Sequence, residues 1–317
     1  MQAPIFHTFP APAKLNLTLL ITGKRDDGYH LLDTDFRFID LCDSIDIAVR
    51  DDGVIELLNP MPDVPADSDL TVRAARLLQQ ATGSQQGATL RVHKRIPMGG
   101  GLGGGSSDAA TVLLALNQLW GCGLDRKALM QLGVKLGADV PVFIFGQNAR
   151  ATGIGEELTP LTLPEAWYVV CKPPVHVATG PVFQEFSQKL LTGEVRFSIM
   201  RSLSGATQKQ NDLQAVVTEK YPAVKQVLNR LSEYGSPLMT GSGACVFLEL
   251  ANEDQANQVF QSLSGEMAVY VAKGLAAHPV SGGDYQGYWG VAKLVKAPDF
   301  DSGMRRFESF LLSHHPA

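Results

Sequence analysis

Residues 14–22 alternate between polar and apolar, with Leu15, Leu17 and Leu19 on one face and Lys14, Asn16 and Thr18 on the other. That is the period of a half-buried strand, and it points Lys14 and Asn16 the same way. A polar turn over 23–28 leads to strand-like stretches at 35–39 and 44–49, so the N-terminal part is expected to be β-rich. Asp67 and Ser68 can cap a helix over about 70–81 that Gly83 stops; residues 88–95 alternate again, and 108–119 form a strongly apolar helix. Asp125 caps a helix over 126–136 with Gly137 at its C-terminus. Pro141 pushes Val140 toward extended geometry, which sets Asp139 in a junction between helix and strand.

Strands are expected at 150–158 and 167–171, followed by helices near 182–190 and 222–234. A turn at 240–243, a strand at 244–250, a helix at 253–263 and a strand at 267–273 complete the pattern. Alternating strands and helices without an internal repeat suggest an α+β sandwich. The composition shift over 159–164 divides the chain into domains 1–160 and 161–280, with an irregular extension over 281–317. In that extension Trp289-Gly290 and Arg306-Phe307-Glu308-Ser309 are what the stretches TGGGG and GGTTCGAGTCC of a transfer-RNA gene would encode. The extension is therefore read as read-through without its own function, which the nucleotide sequence decides.

Composition narrows the classes. At 317 residues, 45% hydrophobic and 19% charged, the chain can bury a full core in one large or two ordinary domains. A net charge of −5 gives no basic footprint for nucleic acid or an anionic membrane. Cys42, Cys122, Cys171 and Cys245 are far apart, which fits reduced thiols in a cytoplasmic protein. No 18-residue apolar run and no leader-like N-terminus is present, and the histidines show no metal-ligand spacing.

The strongest chemical signal lies over 97–110, where six glycines and two serines run into the apolar helix. Glycine lets successive N–H groups turn inward, and a helix starting there adds unpaired N–H groups and its positive dipole end, a combination that cradles phosphate. Gly99 to Gly104 formally satisfy G-x-G-x-x-G, which raises the alternative of an NAD-dependent oxidoreductase. The context differs, because the fingerprint needs a compact βαβ unit with an acidic residue about 20 positions on, whereas the residues after this helix bring Asp125, in Leu-Asp-Arg, at an expected helix start. A Walker A loop is excluded, since no Gly-Lys-Ser/Thr closes the run.

Three segments taken together go further: Pro12-Ala13-Lys14-Leu15-Asn16, the loop at 97–110, and Leu238-Met239-Thr240-Gly241-Ser242-Gly243-Ala244-Cys245. They resemble the GHMP kinase superfamily. Gly28-Tyr29-His30, Leu136-Gly137-Ala138-Asp139-Val140-Pro141 and residues 169–183 narrow the likeness to the branch acting on 4-diphosphocytidyl-2-C-methyl-D-erythritol in non-mevalonate isoprenoid synthesis. The resemblance implies a two-domain α+β GHMP kinase fold with a ferredoxin-like C-terminal sandwich. It implies phosphorylation of the 2-hydroxyl of that cytidine diphosphate methylerythritol, with ATP as co-substrate and Mg2+ accompanying it. A homoserine or mevalonate type of GHMP kinase is the alternative.

By the same resemblance Lys14 and Asp139 are the catalytic pair. ATP is held by Pro97, Met98, Gly99, Gly100, Gly101, Leu102, Gly103, Gly104, Gly105, Ser106 and Ser107, and substrate by Asn16, Tyr29, His30, Thr179 and Phe183. The rings of Tyr29 and Phe183 are to stack on the base while His30 bonds its polar edge, and the 240–243 turn is to close the site from the second domain. Taken without the resemblance, Lys14 reads as a solvated lysine and Asp139 as a turn former. An aspartate beside a helix C-terminus breaks a local electrostatic rule, which favours a functional Asp139. Two departures stand out: Asp69 where many relatives have Asn and Asp108 where some do, an added carboxylate near phosphates being repulsive unless it faces away or meets a cation. No acidic cluster identifies a protein ligand for Mg2+. Partners are limited to the small-molecule substrate, with no nucleic acid, no membrane, and a monomer or weak homodimer.

Overall fold

Two long strands, β1 (His7–Lys24) and β2 (His30–Arg50), pair along their whole length as an antiparallel hairpin. The computed structural model describes residues 4–62, 64–199 and 209–280. The extension over 281–317, and with it the read-through reading, lies outside the described residues.

The alternation in β1 is real, but the strand is buried on both faces from Ala11 to Ile21 instead of half-buried. A register shift between Asn16 and Thr18 re-aims the chain, as a β-bulge does. Leu15 and Leu17 consequently enter one apolar cluster with Ile39, Leu41 and Val170, whereas Leu19 and Ile21 join another with Val169, Phe186 and Leu213. The three leucines therefore do not share one face. The two strand stretches expected around residues 35–49 are one continuous β2. It pairs along its other edge first with β5 (Ala149–Thr152), then β10 (Ala268–Leu275), then β4 (Gly87–His93).

β3 (Ile55–Leu57) adds to β4 in parallel, and β6 (Glu157–Pro160) turns back on β5, so the single strand expected at 150–158 is a hairpin. Helix α1 (Leu70–Thr82) is capped by Asp69, whose side chain accepts from Thr71 N, rather than by Asp67 or Ser68; Gly83 ends it in left-handed backbone, as expected. Helix α2 (Gly104–Leu119) starts four residues before the apolar run, taking Gly104 to Ser107 into its first turn. Its residues from Ser107 to Leu116 are all buried. Helix α3 (Arg126–Val134) has the expected Asp125 cap on Ala128 N.

The clearest local correction is at Pro141. Instead of entering a strand, Val140–Phe145 form a short helix, α4, with the proline in its first turn. There the missing N–H costs no hydrogen bond and the fixed φ is pre-set for helix. Asp139 is its N-terminal flanking residue and so sits at the favourable, positive end of a helix. The argument that local electrostatics disfavour this aspartate does not hold.

The second half is β7 (Trp167–Lys172), α5 (Thr179–Thr192), α6 (Leu213–Lys220), α7 (Pro222–Leu231), β8 (Leu238–Met239), β9 (Val246–Leu250), α8 (Glu253–Leu263) and β10. Its four strands are antiparallel and lie in the order β10-β7-β9-β8, the ferredoxin-like order fourth, first, third, second. Alternate residues of β7 serve two cores: Val169 and Cys171 face the helices, while Tyr168 and Val170 pack with Leu15, Leu17 and Phe247. Through Gly274 and Leu275 opposite Ile39 and Phe38, β10 joins this sheet to β2, making one ten-stranded sheet. Of the named strand pairs only β3–β4 is parallel. A doubly wound dinucleotide-binding sheet is not what this chain builds, which removes the oxidoreductase alternative.

Candidate active site

The loop between β4 and α2 takes left-handed backbone at Gly99, Gly101 and Gly103, with φ of 64°, 76° and 72°. A side chain at Gly101 would place its Cβ 2.3 Å from the carbonyl of Thr240, and one at Gly103 would meet Phe143 and Lys14. The glycines are thus required by both torsion and space. Gly103 flanks the helix without a side-chain cap, so the first N–H groups of α2 remain available beside the loop. Ser107 N already bonds Gly103 O at 2.8 Å.

This loop forms one wall of a cleft of about 1110 Å³, larger than the few hundred to 1,000 Å³ typical of a single small-ligand site. Pro97 to Ser106 all line it; Ser107 does not, being fully buried with its Oγ unpartnered. Lys14, Asn16, Tyr29, His30, Asp139, Thr179 and Phe183 line the same cleft, so it brings together every expected residue but Ser107.

Lys14 is only 3% exposed and its Nζ is held from three sides. It donates to Asn16 Oδ1 at 2.6 Å and to Gly101 O at 2.9 Å, and lies 3.4 Å from Asp139 Oδ2. Asn16 is fixed in turn, donating from Nδ2 to Thr34 Oγ1 at 2.8 Å and from its backbone N to Thr240 Oγ1 at 3.0 Å. The Asp139 carboxylate is 39% exposed, so it touches the lysine while facing open space. A buried cation against a solvent-facing carboxylate beside a phosphate-type loop can organise a hydroxyl and an incoming anion at one point.

The second half supplies the opposite rim. The 240–243 turn packs on the glycine loop, with Cys245 N donating to Gly100 O at 3.1 Å, and Gly241 and Ser242 line the cleft. Thr179 Oγ1 lies 2.8 Å from Ser242 Oγ. At the far end His30 and Phe183 pack at 5.1 Å between ring centroids, tilted by 35°. Tyr29, 61% exposed, stands at the mouth. Burial and the nearby Lys24 charge hold the His30 imidazole below its ordinary pKa.

Sequence reasoning missed a buried charge cluster under the loop. Lys94 Nζ donates to Asp43 Oδ2 and, at 2.7 Å, to Asp108 Oδ2, while Asp43 Oδ1 accepts from Arg95 N and Ile96 N at 2.5 and 2.8 Å. Asp108 does meet a cation, which resolves the repulsion expected of it. Burial nevertheless pushes its carboxyl up to about 7, against the pull of Lys94 and with Asp43 adding to the rise, and its Oδ1 has no partner. Asp69 is spent on its cap and on Thr71. Single-sequence periodicity carries no signal for Asp43 meeting Lys94 across 51 residues. Among the described residues no three His, Cys, Asp or Glu side chains gather as a metal site. No helix there is long and apolar enough to cross a membrane.

Comparison with known proteins agrees with this geometry. The family models for the GHMP kinases N terminal domain and the GHMP kinases C terminal match residues 69–147 and 195–269. A 4-diphosphocytidyl-2-C-methyl-D-erythritol kinase of Chromobacterium violaceum is 59% identical over 280 residues, covering 88% of this chain and 98% of the relative. One of Neisseria gonorrhoeae is 49% identical over 272 residues, covering 86% and 96%. A crystal structure of 4-(cytidine 5'-diphospho)-2C-methyl-D-erythritol kinase aligns with TM-score 0.72 at 33% identity over 84% of this chain and 99% of that one. Homoserine kinase from Cytophaga hutchinsonii aligns at 0.62 over 88% and 97% but is only 14% identical, a likeness of fold alone.

Proposed function

Because the chain belongs to the 4-diphosphocytidyl-2-C-methyl-D-erythritol kinases of the GHMP superfamily, we propose that this cleft transfers the γ-phosphoryl of ATP to the 2-hydroxyl of that cytidine diphosphate polyol. The products are its 2-phosphate and ADP. The observation that carries the reading is the meeting of Lys14 Nζ with Asp139 Oδ2 at 3.4 Å and with the glycine loop at Gly101 O.

Phosphoryl transfer asks the protein chiefly to align donor and acceptor and to neutralise the charge that spreads over the transferred group. The N–H groups of the loop and of the first turn of α2 hold the triphosphate. Lys14, immobilised by Asn16 and Gly101, stabilises the charge developing between nucleotide and acceptor. Asp139, exposed on the cleft side of Lys14, takes the proton of the acceptor hydroxyl. Tyr29, His30 and Phe183 form the base pocket of the substrate, and Thr179 and Asn16 orient its polar middle.

Mg2+ bound with ATP would supply neutralisation of phosphate charge. A small, hard cation of this kind takes one or two protein oxygens and leaves the rest to phosphate and water. Ser106 at the start of α2 lines the cleft and would supply one such oxygen. Domain 1–160 supplies the glycine loop, Lys14 and Asp139, and domain 161–280 supplies Thr179, Phe183 and the 240–243 turn. The protein acts in the cytoplasm as a monomer or weak homodimer, without nucleic acid.

Coupled detection of ADP tests the reading. Release requires the cytidine diphosphate polyol, and Asp139→Asn lowers kcat about 10²- to 10⁴-fold, the worth of a positioned base. Near-normal turnover in that variant contradicts the role given to Asp139.

A further inference from the structure

Among the described residues His30 is tied to the protein through one ring nitrogen. Its Nε2 lies 3.0 Å from Ser187 Oγ on α5, and Ser187 Oγ also receives Lys24 Nζ from the end of β1 at 3.4 Å. The ring is wedged between Phe183, tilted at 5.1 Å, and Phe186, edge-on at 6.2 Å, so it cannot rotate freely about the bond to Ser187. Ser187 belongs to none of the segments that carry the family likeness.

The donor inventory of this chain of contacts points to one tautomer. An ammonium group has only donors, so Ser187 Oγ accepts from Lys24 and keeps one proton to give. Among the described protein groups the acceptor within reach of that proton is His30 Nε2; the reverse sense, Nε2–H into the second lone pair of Oγ, would leave the hydroxyl proton to water. A neutral imidazole that accepts at Nε2 carries its hydrogen on Nδ1. Burial and the Lys24 charge keep the ring neutral, because both disfavour imidazolium. Nδ1 has no protein partner among the described residues, and the ring lines the cleft.

We propose that Ser187 is a positioning residue for substrate recognition: it fixes His30 in the Nδ1–H tautomer, so that the imidazole offers a donor to an acceptor on the base of the substrate. Cytosine presents two adjacent acceptors, N3 and O2, on its pairing edge. Uracil also presents two acceptors, O2 and O4, but they flank a hydrogen on N3, so a donor aimed at N3 meets an acceptor in cytosine and an N–H in uracil. The inference rests on the placing of the base pocket at Tyr29, His30 and Phe183.

Two measurements on the full-length enzyme test it. Nitrogen-15 NMR of the histidine rings, with His30 assigned through His30→Gln, gives the Nδ1–H pattern in the wild type; an Nε2–H pattern overturns the proposal without any substrate being involved. In kinetics Ser187→Ala raises KM for the cytidine diphosphate polyol about fivefold, the equivalent of one hydrogen bond. KM for ATP stays in place, Ser187→Thr restores the wild-type value, and preference over the uridine diphosphate analogue narrows in the alanine variant. If Phe183→Ala raises that KM while Ser187→Ala leaves it unchanged, the tautomer role is refuted and the pocket stands. If neither variant moves it, the pocket itself is misplaced and the proposal falls with it.

Discussion

Asp139 and Asp108 both line the cleft, and their surroundings give them opposite characters. Asp139 touches the fixed ammonium of Lys14 and remains partly open, the setting of a carboxylate that meets a ligand. Asp108 is buried, shares Lys94 with Asp43, and has an oxygen with no partner. Its carboxyl is pushed up to about 7, mainly by burial. Since the folded state then holds a proton that the unfolded chain releases, this group makes stability fall as pH rises from the ordinary carboxylate range to about 7. Asp108→Asn should remove that component, so chemical denaturation across the interval should show a flatter pH dependence for the variant. An equal slope in both proteins would contradict the burial argument. At this scale the sequence was informative where residue type and spacing decide, as for Lys14 with Asn16 and for the glycines. It was silent on Asp43 with Lys94 and on Ser187 with His30, because those meetings come from tertiary structure.

At the level of elements, the glycine loop is where torsion, space and the helix end coincide. Gly101 and Gly105 separate these influences. Gly101 has φ +76° and lies against the Thr240 carbonyl, so Gly101→Ala must displace either the loop or the 240–243 turn. Gly105 is in helical backbone, and a Cβ there would only touch Leu70 at 3.4 Å. Thermal unfolding should show Gly101→Ala destabilised, by roughly 1–3 kcal/mol for a residue forced into sparse backbone space, and Gly105→Ala as stable as the wild type. Equal stabilities would mean that the turn and loop are not packed as described. The elements misread from sequence share one cause. Pro141 suggests extended backbone before it, yet the first turn of α4 accepts proline without loss, and Gly104 and Gly105 suggest loop although the tertiary position of α2 holds them helical. Local propensity set the wrong default in both places. Helix α6, with Leu213, Val216 and Val217 buried, carried an apolar spacing that was left unread.

For the whole molecule, the α+β class was legible because strand and helix periods alternate, whereas the ferredoxin-like order of the second half was implied only by the family resemblance and is found in the structure. The continuity of the sheet was not, since β10 pairing with β2 at Gly274 and Leu275 involves two residue pairs that no pattern distinguishes. That joint brings the two halves together at the cleft: Thr240 reaches Asn16 and Gly101, and Cys245 reaches Gly100, from the half that also carries Thr179 and Phe183. The glycine loop, the Lys14–Asp139 pair and the group of Tyr29, His30 and Phe183 thus open onto one space rather than three. The most direct measurement is phosphorus-31 NMR of the purified protein with ATP, Mg2+ and the cytidine diphosphate polyol. ADP should accumulate in step with one new phosphomonoester on the 2-hydroxyl of the polyol, with its diphosphate bridge intact. ADP formed without a new ester, or a phosphate placed on another hydroxyl, would contradict the account.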